Sequence, residues 1–167
     1  MANQVETGPV VVAVDFSAES ESALLAAAGS AGTTPDNPLV VLHVAHDPAH
    51  APGFYHRREP NDSMRSIEEL ARRMLGEFMM DMRTRHPEVA QLQHVREEVV
   101  SGLPETRITE LAKKSGAQTI VIGCSGISEL RKLWFGSVSD RVERDSEIPV
   151  QIINAHSTAG DARSLIG

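Results

Sequence analysis

The chain has 167 residues, 41% of them hydrophobic and 23% charged, which suits one domain with a core of normal size. Its formal net charge is −7, and no run of lysine or arginine forms a basic stripe. The charge therefore argues against nonspecific binding to nucleic acid or to an anionic membrane surface.

The sequence lacks the patterns of a metal site and of a membrane protein. The single cysteine, Cys124, allows neither an intrachain disulfide nor a multi-cysteine metal site. His46, His50 and His56 are close in sequence, but their spacing matches no standard ligand set, so we predict no metal site. No apolar run reaches membrane-spanning length, and the N-terminal residues lack a basic start and an apolar signal core. These features predict a cytoplasmic protein with no membrane partner.

The first predicted elements are two strands around a helix. Val10–Val14 is a continuous apolar run of the kind found in strands covered on both faces. The run stops at Asp15, and Ser17 is a favourable N-cap for a helix that we expect to reach about Ala31. Leu39–Val44 has the same apolar character as the first strand and predicts a second buried strand.

The middle of the chain predicts a loop, a long helix and a polar strand. His46–Asp62 is rich in proline and polar residues, which indicates a mobile loop. From about Ser63 to His86, apolar residues recur at helical spacing, and Pro87 ends the pattern. The more polar segment His94–Val100 predicts a third strand, and its polarity favours a place at the edge of a sheet.

The last part continues the alternation of strand and helix. Pro104 is expected to open a helix that ends near Ser115, and Gln118–Gly123 predicts a fourth, buried strand. After a glycine-rich stretch, residues 137–146 predict a short helix, and Ile148–Ile153 predicts the last strand.

Five strands joined by helical crossovers predict an α/β protein with a single open parallel sheet and helices on both of its faces. The alternation does not by itself determine the order of the strands. We assign residues 9–154 to one domain, and we expect residues 1–8 and 157–167 to be disordered ends.

The glycine-rich stretch is the strongest candidate for a ligand site. Asp15 and Gly123 end two predicted strands, and open parallel sheets bind ligands where the winding direction reverses. Gly136 and Ser137 precede a predicted helix, whose free N–H groups favour an anion such as a phosphate. Glycines after a strand also commonly turn the chain, and Ser137 could simply cap the helix together with Asp140. The spacing alone leaves both interpretations open.

The spacing Gly123-x2-Gly126-x9-Gly136-Ser137 resembles the nucleotide-binding motif of the universal stress protein family, in its ATP-binding branch. The likeness extends over about residues 9–154, in several segments that agree in order. It implies a five-stranded parallel sheet in the order 3-2-1-4-5, which is the adenine nucleotide α-hydrolase-like fold.

The resemblance also implies roles for individual residues. ATP, accompanied by Mg²⁺, is the implied ligand. Its adenine and ribose would meet Asp15 and the backbone of Val44. The phosphates would lie along Gly123 and Gly126, and the terminal phosphates would be held by Gly136, Ser137 and Val138. The chain departs from the family at Ser125, where many members carry arginine or histidine, and this departure bears on phosphate affinity.

The function implied by the resemblance is that of an ATP-binding regulatory protein of the stress response. It would form a homodimer through the last strand, bind an adenine nucleotide and act on an unidentified protein partner. No residue pattern specifies a strong catalytic apparatus, although the resemblance allows slow ATP hydrolysis or autophosphorylation. Asp15-Phe16-Ser17 matches neither of the loops expected of related nucleotide-dependent enzymes. The alternative is a dimeric interaction module of the same fold that binds no nucleotide, which Ser125 keeps open.

Overall fold

The computed structural model describes residues 8–30, 37–46, 66–124 and 138–154. Within these ranges strands and helices alternate as the sequence predicts. The elements are β1 (Val10–Ala13), α1 (Ala18–Ala28), β2 (Leu39–Ala45), α2 (Ile67–Arg85), β3 (Arg96–Ser101), α3 (Pro104–Ser115), β4 (Thr119–Cys124), α4 (Val138–Asp145) and β5 (Val150–Asn154).

The strands form one parallel five-stranded sheet in the order β3-β2-β1-β4-β5. This confirms the predicted parallel sheet and the strand order that the family resemblance implied. The central strand β1 is buried along its whole length, because it has a strand on each side and helices on each face. The polar strand β3 lies at one edge, as predicted, and β5 forms the other edge.

Helices cover both faces of the sheet, as the alternation of elements predicted. Because successive residues of a strand point to opposite faces, β1 contributes to two separate cores. Val10 and Val12 pack with residues of α1 and α2, such as Leu24. Val11 and Ala13 pack on the opposite face, against α3 and α4.

Local structure decides where two elements begin, and both beginnings differ from the sequence prediction. Helix α2 begins at Ile67, not at Ser63, because the Ser66 side chain accepts from the backbone N–H of Glu69 while the Glu69 carboxylate accepts from that of Ser66. Strand β3 begins at Arg96, not at His94, because a short 3-10 helix over Ala90–His94 comes first.

Several sequence predictions fall outside the described residues. They concern the ends of the chain and the loop after His46. Within the described ranges, no helix combines the length and the apolar character needed to cross a lipid bilayer.

Candidate functional site

The central strand ends before both of its neighbours. The last residue of β1, Ala13, pairs with Leu42 of β2 and with Ile122 of β4. Beyond this point β2 continues along β3 as far as Ala45, and β4 continues along β5 as far as Cys124. A gap therefore opens at the carboxyl edge of the sheet beyond Ala13, between residues 43–45 and residues 123–124. We refer to this gap as the notch.

The notch lies where ligands are expected in an open parallel sheet. Strand β1 is followed by β2 on one side and by β4 on the other, so the direction of winding reverses between β1 and β4. Crevices at such reversals, outside the carboxyl ends of the strands, are the general binding position of these folds. The fold alone thus singles out the notch as the candidate site.

Val44 presents its backbone, and not its side chain, to the notch. The Leu42 carbonyl accepts from the Val14 N–H on the β1 side, whereas the Ala45 carbonyl accepts from the Gly102 N–H on the β3 side. Because peptide groups alternate in direction along a strand, those of Val44 point to the β1 side, as those of Leu42 do. Val44 as a whole residue is only 9% exposed, so its side chain is buried, and its peptide groups on the β1 side are the part that it can offer to a ligand.

Gly123 also directs its backbone to the β1 side of β4, but helix α1 explains why it is a glycine. The Ile120 N–H donates to Pro149 on the β5 side, so alternation turns the peptide groups of Gly123 toward β1. A Cβ atom at Gly123 would lie 2.3 Å from the Glu19 carbonyl oxygen and 3.0 Å from the Ser20 nitrogen. The space of the missing side chain is therefore taken by the first turn of α1.

The Asp15 carboxylate is held by that same turn. Its Oδ1 accepts from the backbone N–H of Ser17 at 3.1 Å and from the Ser20 hydroxyl at 3.0 Å, and the Ser17 hydroxyl donates to it as well. The intervening residue, Phe16, has a φ of 66°, which turns the chain sharply between strand and helix. Asp15 is exposed at the end of β1, and its orientation is set by α1.

The structure thus brings together part of the set that the sequence predicted. Asp15, Val44 and Gly123 all lie at the notch, and Val138 is the first residue of α4, at the same carboxyl edge of the sheet. Gly126, Gly136 and Ser137 lie outside the described residues. The amino end of α4 carries the positive end of the helix dipole, which favours an anion nearby.

Sequence reasoning missed His43, which lies beneath the notch. The residue is 5% exposed, its Nδ1 lies 2.8 Å from the Val14 carbonyl oxygen, and its ring centroid lies 4.3 Å from that of Phe16. Because the carbonyl can only accept, Nδ1 carries the proton and donates. Burial lowers the pKa of His43, partly opposed by the hydrogen bond to Val14 and by the charge of Asp15. The signal in the sequence that could have identified it is a histidine inside the apolar run of β2.

A comparison with protein families identifies the chain. The model of the universal stress protein family matches residues 6–154, which is most of the chain. The protein belongs to the universal stress protein family.

Curated relatives agree with this assignment over part of their length. The chain is 34% identical over 59 residues to universal stress protein MJ0531 of Methanocaldococcus jannaschii, which covers 35% of either chain. It is 42% identical over 53 residues to universal stress protein YxiE of Bacillus subtilis, covering 32% of this chain and 36% of the relative. The matched segments thus span about a third of these relatives.

Solved structures of the family share the fold over nearly the whole chain. A universal stress protein from Archaeoglobus fulgidus is 27% identical, with a TM-score of 0.60 over 87% of this chain and 98% of that one. A universal stress protein in complex with cAMP has a TM-score of 0.61 at 17% identity, over 88% and 97% of the two chains. An Archaeoglobus fulgidus protein in complex with dAMP has a TM-score of 0.55 at 23% identity, over 89% and 98%.

The contact between α1 and Gly123 predicts that Gly123→Ala destabilises the protein. The added Cβ would meet backbone atoms, which cannot swing away as a side chain can, so we expect a loss of about 1–3 kcal/mol in the free energy of unfolding. Gly76→Ala is the matched control, because a Cβ there meets nothing within 4 Å in the middle of α2. The control should gain roughly 0.5–1 kcal/mol. Urea denaturation of both variants measures the two effects, and equal stabilities for Gly123→Ala and the wild type would contradict the contact.

Burial of neutral His43 predicts a loss of stability in acid. Its folded pKa lies below the unfolded one, so the unfolded chain binds more protons as the pH falls below about 6.5. Stability should therefore fall with pH in this window, at most by about 1.4 kcal/mol per pH unit. His43→Asn keeps an N–H donor but cannot take up a proton. Its unfolding free energy, measured by urea denaturation, should change less steeply than that of the wild type between pH 7.5 and about 5.5. Identical slopes would show that His43 does not titrate in this way.

Proposed function

We propose that this protein is an ATP-binding regulatory protein of the stress response, in which nucleotide in the notch switches a dimer between states. The early end of β1 carries the proposal, because it leaves the backbone of Val44 and Gly123 directed into one gap beside the Asp15 carboxylate. Small-molecule sites fix their ligands with a few placed polar groups of this kind, backbone amides and carbonyls included.

In this proposal one end of the notch receives the base and the other receives the phosphates. The Asp15 carboxylate and the Val44 backbone contact adenine and ribose. The residues proposed for the phosphates are Gly123, Gly126, Gly136, Ser137 and Val138. The complexes of related proteins with cAMP and dAMP support an adenine nucleotide as the class of ligand.

Mg²⁺ is proposed to arrive with the nucleotide. Mg²⁺ commonly binds to substrate phosphates and several waters, with one or two carboxylates, and needs no dedicated cage of protein ligands. In the described ranges, no group of three His, Cys, Asp or Glu side chains is placed to hold a metal ion. The ion would offset the repulsion between the phosphates and a chain of net charge −7.

Binding, with slow hydrolysis at most, fits the surroundings of Asp15. This carboxylate accepts hydrogen bonds from the Ser17 N–H and from the hydroxyl groups of Ser17 and Ser20. All three bonds are accepted by Oδ1, which fixes the orientation of the carboxylate. We therefore propose that Asp15 positions the ligand.

The proposal predicts that ATP stabilises the protein and that this stabilisation requires the glycines of the motif. At about 100 times its dissociation constant, ATP should add roughly 2.7 kcal/mol to the free energy of unfolding, which is a melting shift on the order of 5–10 °C for a chain of this size. Gly126→Val and Gly136→Val should remove the shift, because a branched side chain would take the space of phosphate oxygens. Gly76→Ala serves as the control and should keep the full shift.

Differential scanning fluorimetry and mass spectrometry of co-purifying small molecules measure these effects. A full melting shift in both valine variants would refute the assignment of the phosphate residues. A wild type that shows no shift at millimolar ATP would favour the alternative function, a dimeric interaction module without nucleotide.

The two edges of the sheet support a dimer through β5. Strand β3 carries a row of charged side chains at its exposed end, namely Arg96, Glu97 and Glu98. Charged side chains protect an edge strand against pairing with another chain. Strand β5 has the sequence Val-Gln-Ile-Ile-Asn over Val150–Asn154, with no charged residue. We propose a second copy of this chain as its partner.

Gln151→Lys should weaken this dimer. The Gln151 side chain is exposed, so a lysine there adds charge to the edge while leaving the core intact. Multi-angle light scattering should give about twice 18.1 kDa for the wild type and a lower mass for the variant. Glu98→Lys on the opposite edge is the control and should keep the wild-type mass. A monomeric wild type at tens of micromolar would exclude the dimer.

A further inference from the structure

An ion pair joins the amino ends of α3 and α4. Arg141 Nη1 lies 2.8 Å from Glu105 Oε1, with 39% of the arginine side chain and 17% of the glutamate side chain exposed. Glu105 is the second residue of α3, and Arg141 is the fourth residue of α4. Both helices follow a strand of the parallel sheet, so their amino ends lie at the carboxyl edge, on the side of the notch.

The neighbours of the pair connect it with the end of β2. His46 directly follows β2 and contributes to the lowering of the Glu105 pKa. A hydrogen bond from its own backbone N–H, together with Arg141, lowers the pKa of Glu105, so the carboxylate is ionised at neutral pH. Two apolar residues at the starts of these helices are exposed, Leu103 just before α3 and Val138 at the start of α4.

The direction of helical side chains places the Arg141 charge toward the site. Cα–Cβ bonds tilt toward the amino end of a helix, so a long side chain at the fourth position extends back over the first turn. The guanidinium therefore lies near the level of Val138, where α4 begins. The guanidinium has five N–H donors, of which Nη1 makes the bond to Glu105, and a group with this many donors can bind more than one anion.

We propose that Arg141 recognises the terminal phosphates of the nucleotide and that Glu105 restrains it, so that this pair sets the preference for ATP over AMP. The inference rests on the proposed function of the notch. Glu105 holds the guanidinium in place and also sets a negative charge against the incoming phosphates. Arg141 thus raises the affinity for ATP and Glu105 lowers it, whereas both residues change the affinity for AMP only weakly.

Two variants that break the same ion pair test the proposal. Isothermal titration calorimetry measures their affinities for ATP and AMP at constant Mg²⁺ and at about 0.15 M ionic strength, which is near the physiological value. Arg141→Gln should weaken ATP binding about tenfold, because a charged hydrogen bond to phosphate is lost. Glu105→Gln should strengthen ATP binding about two- to fivefold, because the competing partner is gone. AMP affinity should change less than about twofold in both variants.

Opposite signs distinguish this role from a structural one. If the ion pair served only to hold α3 against α4, both variants would shift ATP affinity in the same direction or not at all, and that result would overturn the inference. In the Arg141→Gln background, Glu105→Gln should have a smaller effect than in the wild type, since the two residues are coupled. Arg141→Lys keeps the charge and should retain part of the preference for ATP.

Further controls separate this inference from the proposed function. Arg144→Gln removes a charge from an arginine that is 70% exposed and pairs with Asp145 at the far end of α4, and it should leave ATP affinity nearly unchanged. An equal loss of ATP affinity in Arg144→Gln and Arg141→Gln would mean that only the net charge of the protein matters, and it would overturn the inference. If the wild type binds ATP and the pair has no effect, the notch function stands and the inference fails. If the wild type binds neither nucleotide, both fail.

Discussion

The early end of β1 is the constraint on which the site depends. Strand β1 has a strand on each side and a layer of helices on each face. The residues that follow β1 therefore emerge at the carboxyl edge of the sheet. The turn at Phe16, with a φ of 66°, ends the ladder while β2 and β4 continue. The same turn starts α1 and fixes Asp15 through hydrogen bonds to Ser17 and Ser20. One local reversal thus produces the notch and orients the carboxylate beside it.

Helix α1 links the end of β1 with the β4 side of the notch. Its first turn holds Asp15 at the end of β1 and rests directly on Gly123 of β4, where a Cβ would lie 2.3 Å from Glu19 oxygen. A displacement of this turn would therefore move the carboxylate and change its spacing from β4. The rigidity of the candidate site follows from the packing of one helical turn against a glycine, as well as from the sheet.

The sequence was sufficient to predict the fold, but it predicted the candidate site only in part. Apolar runs and capping residues act locally, so the strands and most helix ends could be predicted, and the family resemblance supplied the strand order. Gly123 remains a predicted backbone contact for phosphate. The sequence could not show that α1 fills the space where the Gly123 side chain would lie. His43 and the pair of Glu105 with Arg141 were missed for a related reason, since their partners are distant in sequence.

A single strand, β4, separates the notch from the edge strand β5. Peptide groups alternate along it, so Gly123 turns toward the notch while the next residue, Cys124, lies on the side of β5. The Cys124 thiol donates to the Asn154 side-chain oxygen at 2.6 Å, which ties the end of β4 to the end of β5. A ligand that shifted β4 at Gly123 would move this contact as well. If β5 pairs with a second copy, the nucleotide site and the dimer interface would be coupled through two adjacent residues of β4 and their contact with the end of β5.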